Sequence, residues 1–239
     1  MAGRPTRVLG LVGVLLIALV AVALSMAPLP AYTVVPGESI ALSTSMTVDG
    51  TAATDVLNGD FLVTTIALGD ADVADLVRSW ADPDLRVVPR TAFVETGVDE
   101  DAFVAEQQAR FAASMATAGD VAGELAGGDP VVVAVAGDRV GGPSAGLTAA
   151  LAAYDVLDAD DLAAGRSIAA TGEIRPDGTV VGVGSVADKV RGAAAAGAAM
   201  FLVPSGQVEA ARDAVPVGVA MEVVGVDTVA EAVAVLSAR

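Results

Sequence analysis

The first hydrophobic run of the sequence is unbroken: Val8 to Met26 are 19 apolar or small residues in succession. At about 1.5 Å per residue, such a helix nearly spans a bilayer core of about 30 Å. Pro28-Leu29-Pro30 predicts its end. After that the apolar runs are short. Tyr32–Leu42 reads as a strand broken at Pro36-Gly37, Asp49-Gly50 as a turn, and Asp60–Leu68 as a strand. Val73, Leu76, Val77 and Trp80 recur at helical spacing and predict a short amphipathic helix over 72–80. Leu85–Val88 and Ala92–Val94 read as extended pieces around Pro89. Residues 99–125 predict a long helix with acidic residues in its first turn, its end weakened by Gly119 and Gly123.

The second half alternates more regularly. Val131–Ala136 reads as a strand, Gly141 to Gly146 as a tight turn, and Leu147–Leu157 as a helix. Asp158-Ala159-Asp160-Asp161 is expected to be a solvated acidic turn. Strands follow at 167–170, 180–183, 200–203 and 221–226, with Pro176-Asp177-Gly178 as a hairpin turn. Helices are expected at 185–197, 207–214 and 228–236. Strands and helices that alternate from about residue 60 onward argue for α/β layers rather than a bundle or a sandwich.

Charge and composition narrow the chemistry. The net charge is −17, so no basic patch exists to meet phosphates, which argues against nucleic acid. There is no histidine and no cysteine among the 239 residues. A Ser-His-Asp arrangement and thiol chemistry are both excluded. Of the 13 basic residues only Lys189 is a lysine. Lysine alone among these can lose its proton near neutral pH when desolvated, whereas chance survival of one surface lysine is the plain alternative.

Arg4 and Arg7 precede the apolar run and an acidic chain follows it. That asymmetry places residues 1–7 in the cytoplasm, 8–26 as a single transmembrane anchor, and the remainder outside the cell membrane. A signal peptide cleaved near Ala21-Val22-Ala23 or Ala23-Leu24-Ser25 is the rival, but the run is longer than the usual core of about 7–15 residues. Residues 32–128 are expected to form the first part of the ectodomain and 129–239 its second.

Two places carry candidate chemistry. In Gly142-Pro143-Ser144-Ala145-Gly146 a serine opens a helix between small residues, where another backbone can approach. Backbone N–H groups near Gly142 and Ala145 could stabilise an oxyanion there. A phosphate-cradling loop or a plain strand–helix junction has the same appearance. Lys189 falls in the first turn of a helix for which Ser185 and Asp188 suggest a capping box. Burial and the helix dipole would depress its pKa, as a general base requires, while Asp188 would oppose this if aimed at the ammonium. Thr171, before Gly172, could orient the amine or serve only the turn.

Taken in order, Gly142-Pro143-Ser144-Ala145-Gly146, Thr171-Gly172-Glu173-Ile174, Gly178-x-Val180-x-x-Val183-Gly184 and Lys189 resemble the proteolytic domain of Lon proteases. Ala196-Gly197-Ala198 and Phe201-Leu202-Val203-Pro204 continue the likeness. Upstream, Gly59-Asp60-Phe61-Leu62-Val63-Thr64-Thr65, Trp80-Ala81-Asp82-Pro83-Asp84 and Val87-Val88-Pro89-Arg90 resemble membrane-anchored, extracytoplasmic Lon-like proteases of Gram-positive bacteria. So does the N-terminal run followed by Tyr32 and Pro36-Gly37.

The resemblance implies a Lon-type α/β proteolytic fold after one transmembrane helix, with Ser144 as nucleophile, Lys189 as base and Thr171 in support. It implies hydrolysis of extracytoplasmic protein or peptide substrates without cofactor or metal, and allows a homo-oligomer, since Lon-family domains tend to form rings. Two departures are expected to matter little or much. Ser185 replaces the second glycine of the family's Gly-Gly turn, a change expected to be harmless. No PDZ module fits between Gly119 and Pro130, which removes the usual means of substrate capture. An ATP-binding Walker A loop needs Gly-Lys-Ser/Thr, yet Asp188 precedes the sole lysine, so no ATP is expected. The alternative from another class is a catalytically silent, membrane-tethered scaffold with the same fold.

Overall fold

The computed structural model describes residues 4–136, 141–158 and 161–238, with side chains from residue 12 onward. Ala159-Asp160 of the expected acidic turn lie outside the described residues. In chain order the helices are α1 (Arg4–Ser25), α2 (Val73–Arg78), α3 (Glu100–Leu125), α4 (Gly146–Leu157), α5 (Val186–Ala195), α6 (Val208–Asp213) and α7 (Val229–Ser237). The strands are β1 (Pro28–Ala41), β2 (Met46–Val48), β3 (Thr51–Ala52), β4 (Asp60–Asp72), β5 (Arg86–Pro89), β6 (Val133–Val135), β7 (Ser167–Ala170), β8 (Glu173–Ile174), β9 (Val180–Val181), β10 (Met200–Pro204) and β11 (Glu222–Val226). Among the described side chains, no helix is long and apolar enough to cross a membrane.

The chain forms two compact units, divided differently from the expected 32–128 and 129–239. One comprises the chain up to Val35 with Ala67–Gly97; the other comprises Pro36–Ile66 with the chain from Val98 onward. The reason is that β1 and β4 are long strands whose two halves take different neighbours.

In the smaller unit, β1 pairs antiparallel with β5 from Ala31 opposite Pro89 to Val34 opposite Arg86. The Arg90 guanidinium lies 4.7 Å from the centre of the Tyr32 ring and pairs with Asp70. Phe93 meets the same ring edge-on at 6.4 Å. Ala92–Val94 is not extended, because Phe93 and Val94 both donate backbone N–H to Arg90 O and close a turn. α2 ends at Arg78, and the expected apolar face of 72–80 is uncovered, with Trp80 80% exposed.

In the larger unit, β11, β10, β7 and β4 are consecutive neighbours and all parallel. β1 continues the sheet beside β4, antiparallel to it, with Leu42 N–H donating to Phe61 O and Thr65 Oγ1 to Glu38 O. The result is a mixed sheet with helices on both faces. β1 is not broken at Pro36-Gly37: Pro36 lies beyond the last β1–β5 pair, so its missing N–H costs no ladder bond on that side.

Alternation along the strands separates two apolar cores. Phe61, Val63, Ile168, Ala170, Met200 and Leu202 face one core with α3, α4 and α7. Leu62, Ala169, Phe201 and Val203 face the other with α5 and α6. A small sheet, β3-β2-β6, leads toward the serine loop, and Asp49-Gly50 makes the expected turn, with positive φ at both positions.

α3 runs through Gly119 and Gly123 without a break. Both are buried inside the helix, and a Cβ at Gly119 would lie 2.0 Å from Val131 O. The two glycines let the segment entering β6 cross directly against the helix.

Candidate active site

α4 packs on one face of the mixed sheet and α5 on the other, so the elements that carry Ser144 and Lys189 are separated by a layer of strands. They meet where β7 ends. Beyond its last residue, Ala170, the chain passes through Thr171 before turning into β8. Carboxyl ends of parallel strands are where open α/β sheets place their sites, because helix starts from both faces converge there.

Ser144 sits in a 3₁₀ turn, Pro143–Ala145, that runs into α4. Gly142 precedes it at φ 81, a left-handed conformation that glycine adopts without strain. Two contacts from α3 hold this turn. Gly142 N–H donates to Gln107 O at 2.8 Å, and Ser114 Oγ donates to Pro143 O at 3.0 Å. Gly172 N–H donates to Ser144 O at 3.0 Å and Leu147 N–H to Gly172 O at 3.1 Å, which ties the turn to the segment after β7.

Lys189 is buried, 5% exposed, and its ammonium has few partners. Nζ lies 2.6 Å from Ser144 Oγ and 3.1 Å from Thr171 Oγ1. Thr171, fully buried, donates in turn to Ser144 O at 3.3 Å. Burial, which penalises the charged form, lowers the lysine pKa from 10.5 to about 8. Asp188 does not oppose this: its carboxylate points along the helix to Arg191, with Nη1 3.5 Å from Oδ1.

The structure thus brings Ser144, Thr171 and Lys189 together and separates out two other expectations. Gly142 is not an unengaged oxyanion donor, because Gln107 O already accepts its N–H. Ala145 is buried within the turn. The expected Ser185–Asp188 capping box is absent. Ser185 is the N-cap of α5, but at φ 56 it is left-handed and makes no side-chain cap bond. The glycine-to-serine change is therefore not neutral for the backbone.

Two supporting residues on α3 escape a sequence reading: Gln107 acts through its main-chain carbonyl, which no side-chain pattern marks, and Ser114 through its hydroxyl. Gln107 and Ser114 lie seven positions apart, two turns of α3, and both hold the serine turn. A cleft of about 230 Å³ opens beside that turn, lined by Arg110, Ser114, Thr117, Pro143, Glu173 and Ile174. Away from the serine turn, Asp155 is a buried acid inside apolar α4 that accepts from Leu162 N–H at 2.6 Å and Ala163 N–H at 3.3 Å. Its burial pushes its pKa up despite those bonds.

Residues 134–238 match the family model of the Lon protease (S16) C-terminal proteolytic domain. This segment is a Lon-like protease domain. It runs from β6 to α7 and contains Ser144, Thr171 and Lys189, and it is in general terms a serine peptidase domain. The Lon-like domain relies on α3, which lies before the matched segment, to hold its serine turn. No curated protein matches the chain.

Proposed function

We propose that the chain is an ATP-independent serine endopeptidase that works through a Ser144–Lys189 dyad. The supporting observation is the 2.6 Å approach of a buried lysine amine, its pKa lowered to about 8, to the serine hydroxyl. In the neutral amine, the Nζ lone pair accepts the Ser144 Oγ proton as Oγ attacks the scissile carbonyl carbon. The ammonium so formed protonates the leaving amine as the C–N bond breaks, leaving a Ser144 ester. Water then loses a proton to the same amine as it attacks the ester carbon, and the ammonium returns that proton to Ser144 Oγ as the Oγ–C bond breaks and the carboxylic acid product departs.

Thr171 accepts from Nζ and so fixes where the amine points. The Ser144 N–H, at the start of the 3₁₀ turn where amides lack intrahelical partners, is the oxyanion donor we assign. The cleft beside Pro143 offers room for a substrate side chain.

We further propose that α1 anchors the chain in the cell membrane, with Arg4 and Arg7 on the cytoplasmic side and the Lon-like domain outside. Its substrates are then extracytoplasmic proteins or peptides. A fluorophosphonate probe, which phosphonylates an activated serine hydroxyl with loss of fluoride, tests the enzyme reading: it should label wild type at Ser144 and fail on Ser144→Ala and Lys189→Arg. An unlabelled wild type that also leaves unfolded protein substrates intact would establish the silent scaffold instead.

A further inference from the structure

α2 is a short helix built with care yet left bare. Its N-cap is a full capping box, with Asp75 N–H donating to Asp72 Oδ1 at 2.8 Å and Asp72 N–H to Asp75 Oδ2 at 3.2 Å. The turn continues past its end, with Trp80 N–H donating to Val77 O at 3.3 Å and Ala81 N–H to Arg78 O at 2.9 Å. No residue of the helix is buried. Leu76, Val77 and Trp80 are 40%, 55% and 80% exposed and share one face. An exposed tryptophan on a contiguous apolar face marks an interaction surface rather than a surface accident.

The fold indicates what meets that face. Val73 N–H, the first of α2, donates to Ala27 O at 3.3 Å, two residues beyond the end of α1, and the two helices are in contact. α1 is exposed on every side with apolar residues, among them Leu15, Ile17, Leu19 and Leu24 at 60–71%. A helix that is apolar all round requires a lipid or protein environment. α2 therefore lies at the level where the chain leaves α1, and it carries an exposed apolar face of its own there.

We infer that α2 and the turn to Trp80 form a membrane-surface element, with Leu76, Val77 and Trp80 seated among the headgroups of the bilayer that holds α1. The inference rests on the membrane-anchor reading of α1. Tryptophan suits this depth, since its ring is apolar and its indole N–H can meet water or headgroup oxygens. The charges around the face are mixed and mainly acidic: Asp72, Asp75, Asp82 and Asp84 beside Arg78. The partner is thus a phospholipid interface taken up by apolar contact, not an anionic lipid drawn by a basic patch.

Trp80 is the chain's one tryptophan, so intrinsic fluorescence reports on it alone. The full chain is reconstituted into phosphatidylcholine vesicles carrying a nitroxide either at the headgroup or deep in the acyl chain, and flotation after an alkaline wash reads anchoring separately. The expected result is at least twofold stronger quenching of Trp80 by the headgroup nitroxide than by the deep one, unchanged in high salt, and lost in Val77→Asp while flotation persists. Flotation with no lipid quenching, or with Trp80 fully open to aqueous acrylamide, overturns the surface element and leaves the anchor standing. Quenching that depends on protein concentration instead assigns the face to a second copy and overturns it equally. Failure to float removes the anchor and the inference together.

Discussion

Lys189 Nζ lies 2.6 Å from Ser144 Oγ although the two residues belong to elements on opposite faces of one sheet. Their meeting point is the end of β7, where Thr171 touches both partners. The relationship makes the reactivity of the serine a function of lysine protonation, and that has a measurable sign.

Activity should rise with pH. With a pKa of about 8, roughly a tenth of Lys189 is neutral at pH 7 and about nine tenths at pH 9. kcat/KM for a peptide whose own ionisation is fixed is therefore expected to increase about tenfold over that range and then level off. A flat profile would remove the lysine from the role of base. Stability carries the same sign. The folded value lies below 10.5, so the unfolded chain binds more protons between about 8 and 10.5, and the penalty of the buried ammonium is relieved as pH rises through that window.

Thr171→Val tests positioning. The substitution keeps shape but removes the hydroxyl that Nζ and Ser144 O both use. Losing a hydrogen bond to a charged group costs about 1.5–3 kcal/mol, so kcat should fall about 10- to 100-fold with KM nearly unchanged. Thr171→Ser should restore most of it, an outcome that a purely structural role would not give.

Ser185→Gly should stabilise the protein. A left-handed serine costs about 1–2 kcal/mol in backbone strain, against about 0.5–1 kcal/mol of extra chain entropy for glycine in the unfolded state. A rise in Tm of about 1–4 °C is expected, with cleavage rate retained. A drop in Tm would show that the serine side chain contributes more than the strain removes.

Gly119→Ala separates packing from propensity. On helix propensity alone the change should stabilise α3 by about 1 kcal/mol. The added Cβ would stand 2.0 Å from Val131 O, a clash with backbone that must displace the segment entering β6. The expected result is a loss of about 1–3 kcal/mol, read by urea denaturation, together with reduced probe labelling of Ser144.

Much of this architecture was legible in one dimension. Alternating apolar runs placed β4, β7, β10 and β11 within a few residues, because strands buried on both faces leave little choice of composition. The missing histidines drew attention to Lys189, the one lysine, but it was the order of motifs shared with Lon proteolytic domains that singled out Ser144 and Lys189. Where local signals compete with packing, the reading failed. Gly119 and Gly123 resemble helix breakers until the crossing segment is seen, and Leu76, Val77 and Trp80 look like a core face although nothing among the described residues covers them.

The sequence by itself determined which side chains could react and which elements carry them, since periodicity, turn residues and composition are local properties. Tertiary structure alone decided that the lysine is dry, that Asp188 turns to Arg191 instead of Lys189, that Gln107 engages the Gly142 amide, and that Ser185 is left-handed. Each depends on groups far apart in the chain or on a backbone angle set by packing. Burial and approach are properties of three-dimensional neighbours, and no spacing along one chain encodes them directly.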